Sequence, residues 1–221
     1  MIFINPVNWE GIRGSLNQAK EKGIAIIIVD APVKDQDLAL STVASDNVEA
    51  GRLVAQALAD SVRPAKIAVL QLSTNKACID RVTGFKEVLA KYPDMQIIDV
   101  QEVKGTTESS RPVMRDVIGR HPDLNAVFAI NDPSALGVIS ALESANKLKG
   151  VKVVAVDGAT EAVNAIRNGK MLATSAQFPR EIGERAGELA YTHLDNKPVE
   201  KDVKIRVELV NQNNAESFLK Q

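Results

Sequence analysis

The chain has 221 residues, one cysteine, 4% aromatic content and 27 basic against 28 acidic residues. That length allows one large or two small domains, and a chain of this size buries roughly 70% of its unfolded surface without a disulfide staple. Balanced charge without a long like-charged block argues against a nucleic-acid or membrane surface, and the longest apolar run is far too short to span a bilayer.

Strand-like runs alternate with helix-like patterns along the chain. Ile2–Asn5 reads as a strand, and Ile12, Leu16 and Ala19 share one face of a following helix. The strand Ile24–Val29, a polar loop and a helix over Asn47–Val62 come next. Strand Ile67–Leu72 leads to helix Lys76–Lys91, and strand Ile97–Val100 to a helix near Ser109–Arg120. Strand Ala126–Ile130 precedes helix Ser134–Asn146, Val151–Val156 precedes Thr160–Asn168, and Leu172–Ala176 precedes Glu181–Asp195. Lys204–Val210 (KIRVELV) reads as one further strand, followed by a polar turn. Near-continuous apolar strands suit a parallel sheet buried on both faces, and βαβ alternation predicts right-handed crossovers. Asp132 before Pro133 looks like an N-cap and first helical residue, and Gly169 like a left-handed residue closing a helix. Trp9, at the head of the first helix, could line the cleft or staple the helix, and the staple is the favoured reading.

Four apolar runs stop on a side chain suited to a hydroxyl group: Asp30, Asn131, Asp157 and Gln177. Open α/β sheets bind ligands just outside the carboxyl ends of their strands. Carboxylates accept hydrogen bonds, and carboxamides both donate and accept, as a sugar hydroxyl does. No nucleophile–base pair stands among the four. His121, His193 and Cys78 lack metal-ligand spacing, and the glycines form no phosphate-binding fingerprint. The pattern predicts recognition of a polyhydroxy ligand without chemistry on it, and neither metal nor cofactor.

Several segments together carry a resemblance: Ile4–Pro6 (INP), Ala44–Asn47 (ASDN) with Gly51, Arg81–Phe85 (RVTGF), His121–Asp132 (HPDLNAVFAIND), Val156–Gly158 (VDG) and Ala176–Pro179 (AQFP). In this order and spacing the chain resembles the type I periplasmic sugar-binding proteins of ABC importers, in their ribose-binding branch. The resemblance implies a two-lobed α/β fold, parallel sheets flanked by helices, hinged over a monosaccharide or similar polyol. It implies a sugar-binding set of Asp30, Arg81, Asn131, Asp157 and Gln177, a periplasmic or extracytoplasmic location, and the importer's membrane subunits as partners. Arg81 suits the role because its planar fork of donors can grip two oxygens at once.

Ala31 stands where the ribose binders have an arginine, and Gly105 where they have an aromatic residue, so the site is expected to be roomier and less positive. The family's first two βα units have no counterpart here, and no signal peptide is visible at the start of the chain. The N-lobe is therefore expected to be incomplete, formed by residues 1–44 with 178–206. A C-lobe is expected from 45–177 with 207–221. An incomplete lobe exposes the edge of strand Ile2–Asn5, which predicts self-association and weak sugar affinity.

Each site residue also has a plainer reading. Asp30 could cap a loop, Asp157-Gly158 could be a strand-ending turn, and Gln177 could be solvated. Arg81 could be a surface cation. Of Asn131 and Asp132, the second is the better helix cap. The competing function is the effector domain of a LacI-type regulator, which shares this fold. An α/β enzyme using Asp30 or Asp157 as acid or base lacks a supporting constellation.

Overall fold

Residues 1–219 are described by a computed structural model. They pack as two units. The first comprises Met1–Asn47, Ser73–Ile79 and Phe178–Val207, and the second comprises Val48–Leu72, Asp80–Gln177 and the chain from Glu208 onward. The sequence pattern alone leaves 73–79 in the second lobe, and the last two residues of its 207–221 segment lie outside the described residues.

In the first unit four parallel strands lie in the order β1 (Ile2–Ile4), β2 (Ile26–Val29), β3 (Ser41–Ser45), β9 (Asp202–Ile205). Side chains of β2 alternate between faces. Ile27 packs with Val43, Val203 and the Ile182, Ala186, Leu189 face of α7 (Pro179–Leu194). Ile26 and Ile28 pack with Leu16 and Ala19 of α1 (Arg13–Glu21). A strand covered by a helix on each face must be apolar at every position, which is why IIIV shows no polar alternation.

The expected polar loop after β2 contains a strand, β3. Its sequence STVAS looks polar, yet Ser41, Thr42 and Ser45 are all buried. Trp9 is not a staple. The helix begins four residues later, and Trp9 is held by a backbone bond to Thr74 O (3.1 Å), with the Lys34 ammonium 5.7 Å from its ring centroid.

The second unit holds six strands in the order β10 (Glu208–Asn211), β8 (Ala173–Ala176), β7 (Lys152–Asp157), β6 (Ala126–Ala129), β4 (Ala65–Gln71), β5 (Met95–Glu102). All neighbours are parallel except β10 against β8. The intervening helices are α2 (Asn47–Ser61), α3 (Lys76–Leu89), α4 (Thr107–Arg120), α5 (Asp132–Ser144) and α6 (Thr160–Arg167), with a short α8 (Ala215–Phe218) after β10. Phe85 of α3 stacks on Phe128 of β6 with ring centroids 4.4 Å apart. Gly169 does close α6 with φ +70°.

The run Lys204–Val210 is not one strand. It divides at Arg206 and Val207, with β9 pairing in the first sheet and β10 in the second. Arg206 lies over the Phe178 ring at 3.7 Å and bonds Glu181 Oε1 at 2.8 Å.

One close approach sets up the site. A Cβ added to Gly51 of α2 would fall 1.9 Å from Arg81 O, and one added to Gly84 of α3 would fall 1.9 Å from Val48 O. The two helices therefore touch backbone to backbone, glycine facing carbonyl in both directions, and this contact fixes where the Arg81 side chain starts.

Candidate functional site

Arg81 is no surface cation. It is 5% exposed, and its Nη1 donates to Ile130 O at 3.0 Å, just beyond the end of β6. The same nitrogen lies 3.3 Å from Asp157 Oδ1. A guanidinium keeps its charge under burial and presents its donors in a rigid plane, so it can be held by the protein on one side and still reach outward.

Asp157 ends β7 and its side chain is 27% exposed. Gln177, immediately after β8, donates from Nε2 to Asp157 Oδ1 at 2.8 Å, and the two backbones are tied by Gln177 N to Asp157 O at 2.9 Å. Gln177 Oε1 is buried and has no hydrogen-bond partner among the described residues. An orphaned buried acceptor is costly unless something donates to it, and a ligand hydroxyl can. Arg81, Asp157 and Gln177 thus form one connected cluster in the second unit.

The backbone that carries Asp157 is strained. Asp157 has φ 145° and Gly158 has φ +82°. Gly158 is required there, because an added Cβ would lie 2.6 Å from Ala176 Cβ. Non-glycine residues in such regions persist only where the surroundings hold them, and they cluster at functional sites.

The capping role expected of Asp132 falls to Asn131. Asn131 is the N-cap of α5, its Oδ1 accepting from Ser134 N at 3.1 Å, and its Nδ2 donates to Gly105 O at 3.0 Å. A carboxamide has two N–H donors and two acceptor lone pairs, so these two bonds together leave it one of each. Asp132 is fully buried and does not cap. Its Oδ2 accepts from Gly158 N (2.8 Å) and Ala159 N (2.7 Å), and its Oδ1 from the Thr174 hydroxyl (2.6 Å). Burial first, and the charge of Asp157 second, push its pKa up to about 7. Adjacent short polar side chains before a helix give no local signal for which one caps.

Gly105 has φ +72°, and a Cβ there would come within 3.4 Å of Asn131 Nδ2. Gly105 adds no side chain beside Asn131, where the resemblance places an aromatic residue in the ribose binders.

Asp30 belongs to the first unit. It follows β2 with φ 69°, its N donates to Val43 O at 2.8 Å, and its Oδ2 accepts from Asn5 Nδ2 at 3.0 Å. Two of the five candidates, Asp30 and Asp157, therefore sit at positive φ directly at a strand end. Asn5 is a partner the sequence pattern did not single out, although INP was among the resembling segments.

The periplasmic binding protein domain family matches residues 1–198. The ribose import binding protein of Salmonella typhimurium is 32% identical over 216 residues, covering 95% of this chain and 71% of that protein. A xylitol-binding protein of Mycolicibacterium smegmatis is 32% identical over 179 residues, covering 80% of this chain and 51% of that protein. Among solved structures, the periplasmic binding protein component of the arabinose ABC transporter from Shewanella sp. ANA-3, bound to α- and β-L-arabinofuranose, matches with a TM-score of 0.93. It is 32% identical, and the match covers 99% of this chain and 75% of that one.

Proposed function

The chain belongs to the periplasmic binding protein domain family, and from that premise we propose that it binds a monosaccharide or similar polyol and delivers it to the membrane subunits of an ABC importer. It is a binder and not an enzyme, as its family is one of solute-binding proteins. The observation that carries the reading is the cluster of Arg81, Asp157 and Gln177. A buried fork of donors, a carboxylate and an unpaired carboxamide oxygen meet within hydrogen-bond range at two strand ends. That set matches vicinal hydroxyls, which present donors and acceptors side by side. Asn131 in the second unit and Asp30 in the first complete the proposed ligand-binding residues.

The working location is extracytoplasmic, where importers collect their solutes. No helix among the described residues is long and apolar enough to cross a membrane. The likeness to ribose, xylitol and arabinose binders supports a sugar or polyol, and a glycine at 105 in place of an aromatic residue favours one other than ribose.

Self-association is part of the same proposal, with a second copy of this chain as the occupant of the β1 edge. Among the described residues β1 pairs with β2 alone, and Ile2 and Phe3 are exposed, Phe3 at 51%. A hollow of about 530 Å³ beside it is lined by the apolar Phe3, Val29, Pro179 and Ile182 together with the polar Asn5 and Asp30. An open apolar edge pairs readily with its own copy, and a two-fold dimer is the closed way to do it.

A thermal-shift screen of pentoses, hexoses and polyols tests the binding reading, since a ligand that binds the native state alone raises Tm. At least one neutral saccharide or polyol is expected to raise it. No shift from any of them, or turnover of one, overturns the reading. Light scattering of the wild type against Phe3→Lys tests the dimer: the variant is expected to be monomeric, and equal masses refute the edge contact.

A further inference from the structure

Asp132 is an unusual burial. It is a carboxylate with no solvent exposure, and its three hydrogen bonds all come from groups distant in sequence: Gly158 N, Ala159 N and the Thr174 hydroxyl. None of them belongs to α5, the helix on which Asp132 sits, and Asn131 already caps that helix. A buried carboxylate costs several kcal/mol unless donors surround it. What these donors have in common is the turn that follows β7. Gly158 and Ala159 are its backbone, and Thr174 lies on β8, paired with Ala155 of β7. The turn begins with Asp157 at φ 145° and Gly158 at φ +82°, so it relaxes unless something grips the next two amides.

We propose that Asp132 is the positioning residue of the candidate site: it clamps the Asp157–Ala159 turn and so fixes the direction in which Asp157 offers its carboxylate. Arg81 Nη1 and Gln177 Nε2 converge on Asp157 Oδ1 from α3 and from the end of β8. Asp132 acts through the backbone that follows Asp157. A shift of the turn misplaces Asp157 against both partners and against any bound hydroxyl, and geometric precision at a binding site depends on this kind of support. Asp132 touches no ligand in this account. Its charge also lies beside Asp157, and burial together with that neighbour holds its own pKa near 7.

The test compares Asp132→Ala with Asp132→Asn. The amide oxygen of asparagine can still accept from Gly158 N and Ala159 N, while its NH2 donates to the Thr174 oxygen. Amide exchange at Gly158 and Ala159 is expected to quicken at least tenfold in D132A, roughly the effect of one lost hydrogen bond to a charged group, and to stay near wild type in D132N. Unchanged protection of both amides in D132A overturns the proposal, as does a uniform rise in exchange across the second unit. Should D132A not fold, the wild type and D132N decide: exchange at Gly158 and Ala159 as fast in either as at a solvent-exposed turn amide refutes it.

The affinity arm rests on the proposed function and uses whichever of D-ribose, L-arabinose, xylitol and myo-inositol raises the wild-type Tm most. D132A is expected to bind it at least about tenfold more weakly and D132N within about threefold. Wild-type affinity in D132A overturns the proposal. If none of the four shifts the wild type, the sugar reading is what fails, and the exchange arm still judges Asp132.

Discussion

Replacing Arg81 by alanine removes the centre of the proposed site. Its guanidinium lies 3.3 Å from Asp157 Oδ1, which at an effective dielectric near 20 corresponds to roughly 5 kcal/mol of gross attraction. The desolvation of a side chain only 6% exposed offsets much of that. What the variant feels is the residue left behind: Asp157 without its cation, and Ile130 O without the donor at 3.0 Å. Breaking a fully buried pair costs about 3–5 kcal/mol. The Asp157 side chain is 27% exposed and can be partly rehydrated, so the expected loss of stability is about 2–4 kcal/mol. At a urea m-value of about 2 kcal/mol/M this lowers the unfolding midpoint by about 1–2 M. Sugar affinity is expected to fall separately by about 1.5–3 kcal/mol, because the ligand loses hydrogen bonds to a charged donor. Urea titration followed by calorimetry with the sugar found in the screen measures both. A double-mutant cycle with Asp157→Asn should show coupling of about 1 kcal/mol or more. A midpoint unchanged within error, or additive single effects, would falsify the pairing, and unchanged affinity would remove Arg81 from the site.

Gly51→Ala puts a Cβ 1.9 Å from Arg81 O; α2 and α3 must separate, at a cost of about 3 kcal/mol or more, and sugar affinity should fall with stability because Arg81 moves. If denaturation and titration both match wild type, the glycine contact does not position Arg81. Gly158→Ala meets Ala176 Cβ at 2.6 Å at a residue with φ +82°, which predicts a loss of about 2–4 kcal/mol in chemical denaturation, from overpacking and a left-handed backbone together. Asp132 makes stability fall as pH rises. Its folded pKa of about 7 lies above the ordinary 3.8, so the native state holds a proton that the unfolded chain releases, and the contribution, at most about 4 kcal/mol, is present below pH 4 and lost by pH 7–8. The urea midpoint of the wild type should therefore exceed its own value at pH 8 when measured at pH 5, and that difference should shrink in D132N. Asp99 acts in the opposite sense in more acid solution: against the opposing pull of burial, hydrogen bonds from Gln101 and Arg120 hold its pKa below 3.8, so its contribution is lost as pH falls through that lowered value. Neutral sugars should displace any sugar phosphate in competition, because the proposed residues supply one arginine against two carboxylates; a phosphorylated sugar that binds more tightly than every free sugar would show that the site was misread.

The alternation of apolar strands with amphipathic helices was legible from the sequence, because a strand buried on both faces must be apolar along its whole length. For the same reason the ends of those strands at Asp30, Asn131, Asp157 and Gln177 stood out as polar stops. Elements whose burial does not depend on apolar composition were not legible. Strand β3 was hidden because Ser41, Thr42 and Ser45 carry hydroxyls that look solvated, although all three are buried. The division of KIRVELV between two sheets depends on partners far away, β3 for one half and β8 for the other.

At the candidate site the same distinction holds. Residue types and their order along the chain identified what could touch a hydroxyl. Tertiary structure alone decided what each of them does. Arg81 is buried because Gly51 lets α2 press against its backbone, 30 residues away in sequence. Asn131 caps and Asp132 does not because Gly158, Ala159 and Thr174 approach Asp132 from two other elements. Capping patterns are local and can be read from neighbours. A buried carboxylate is satisfied by donors brought together only when the sheet forms, so its role is written in the packing and not in the order of residues.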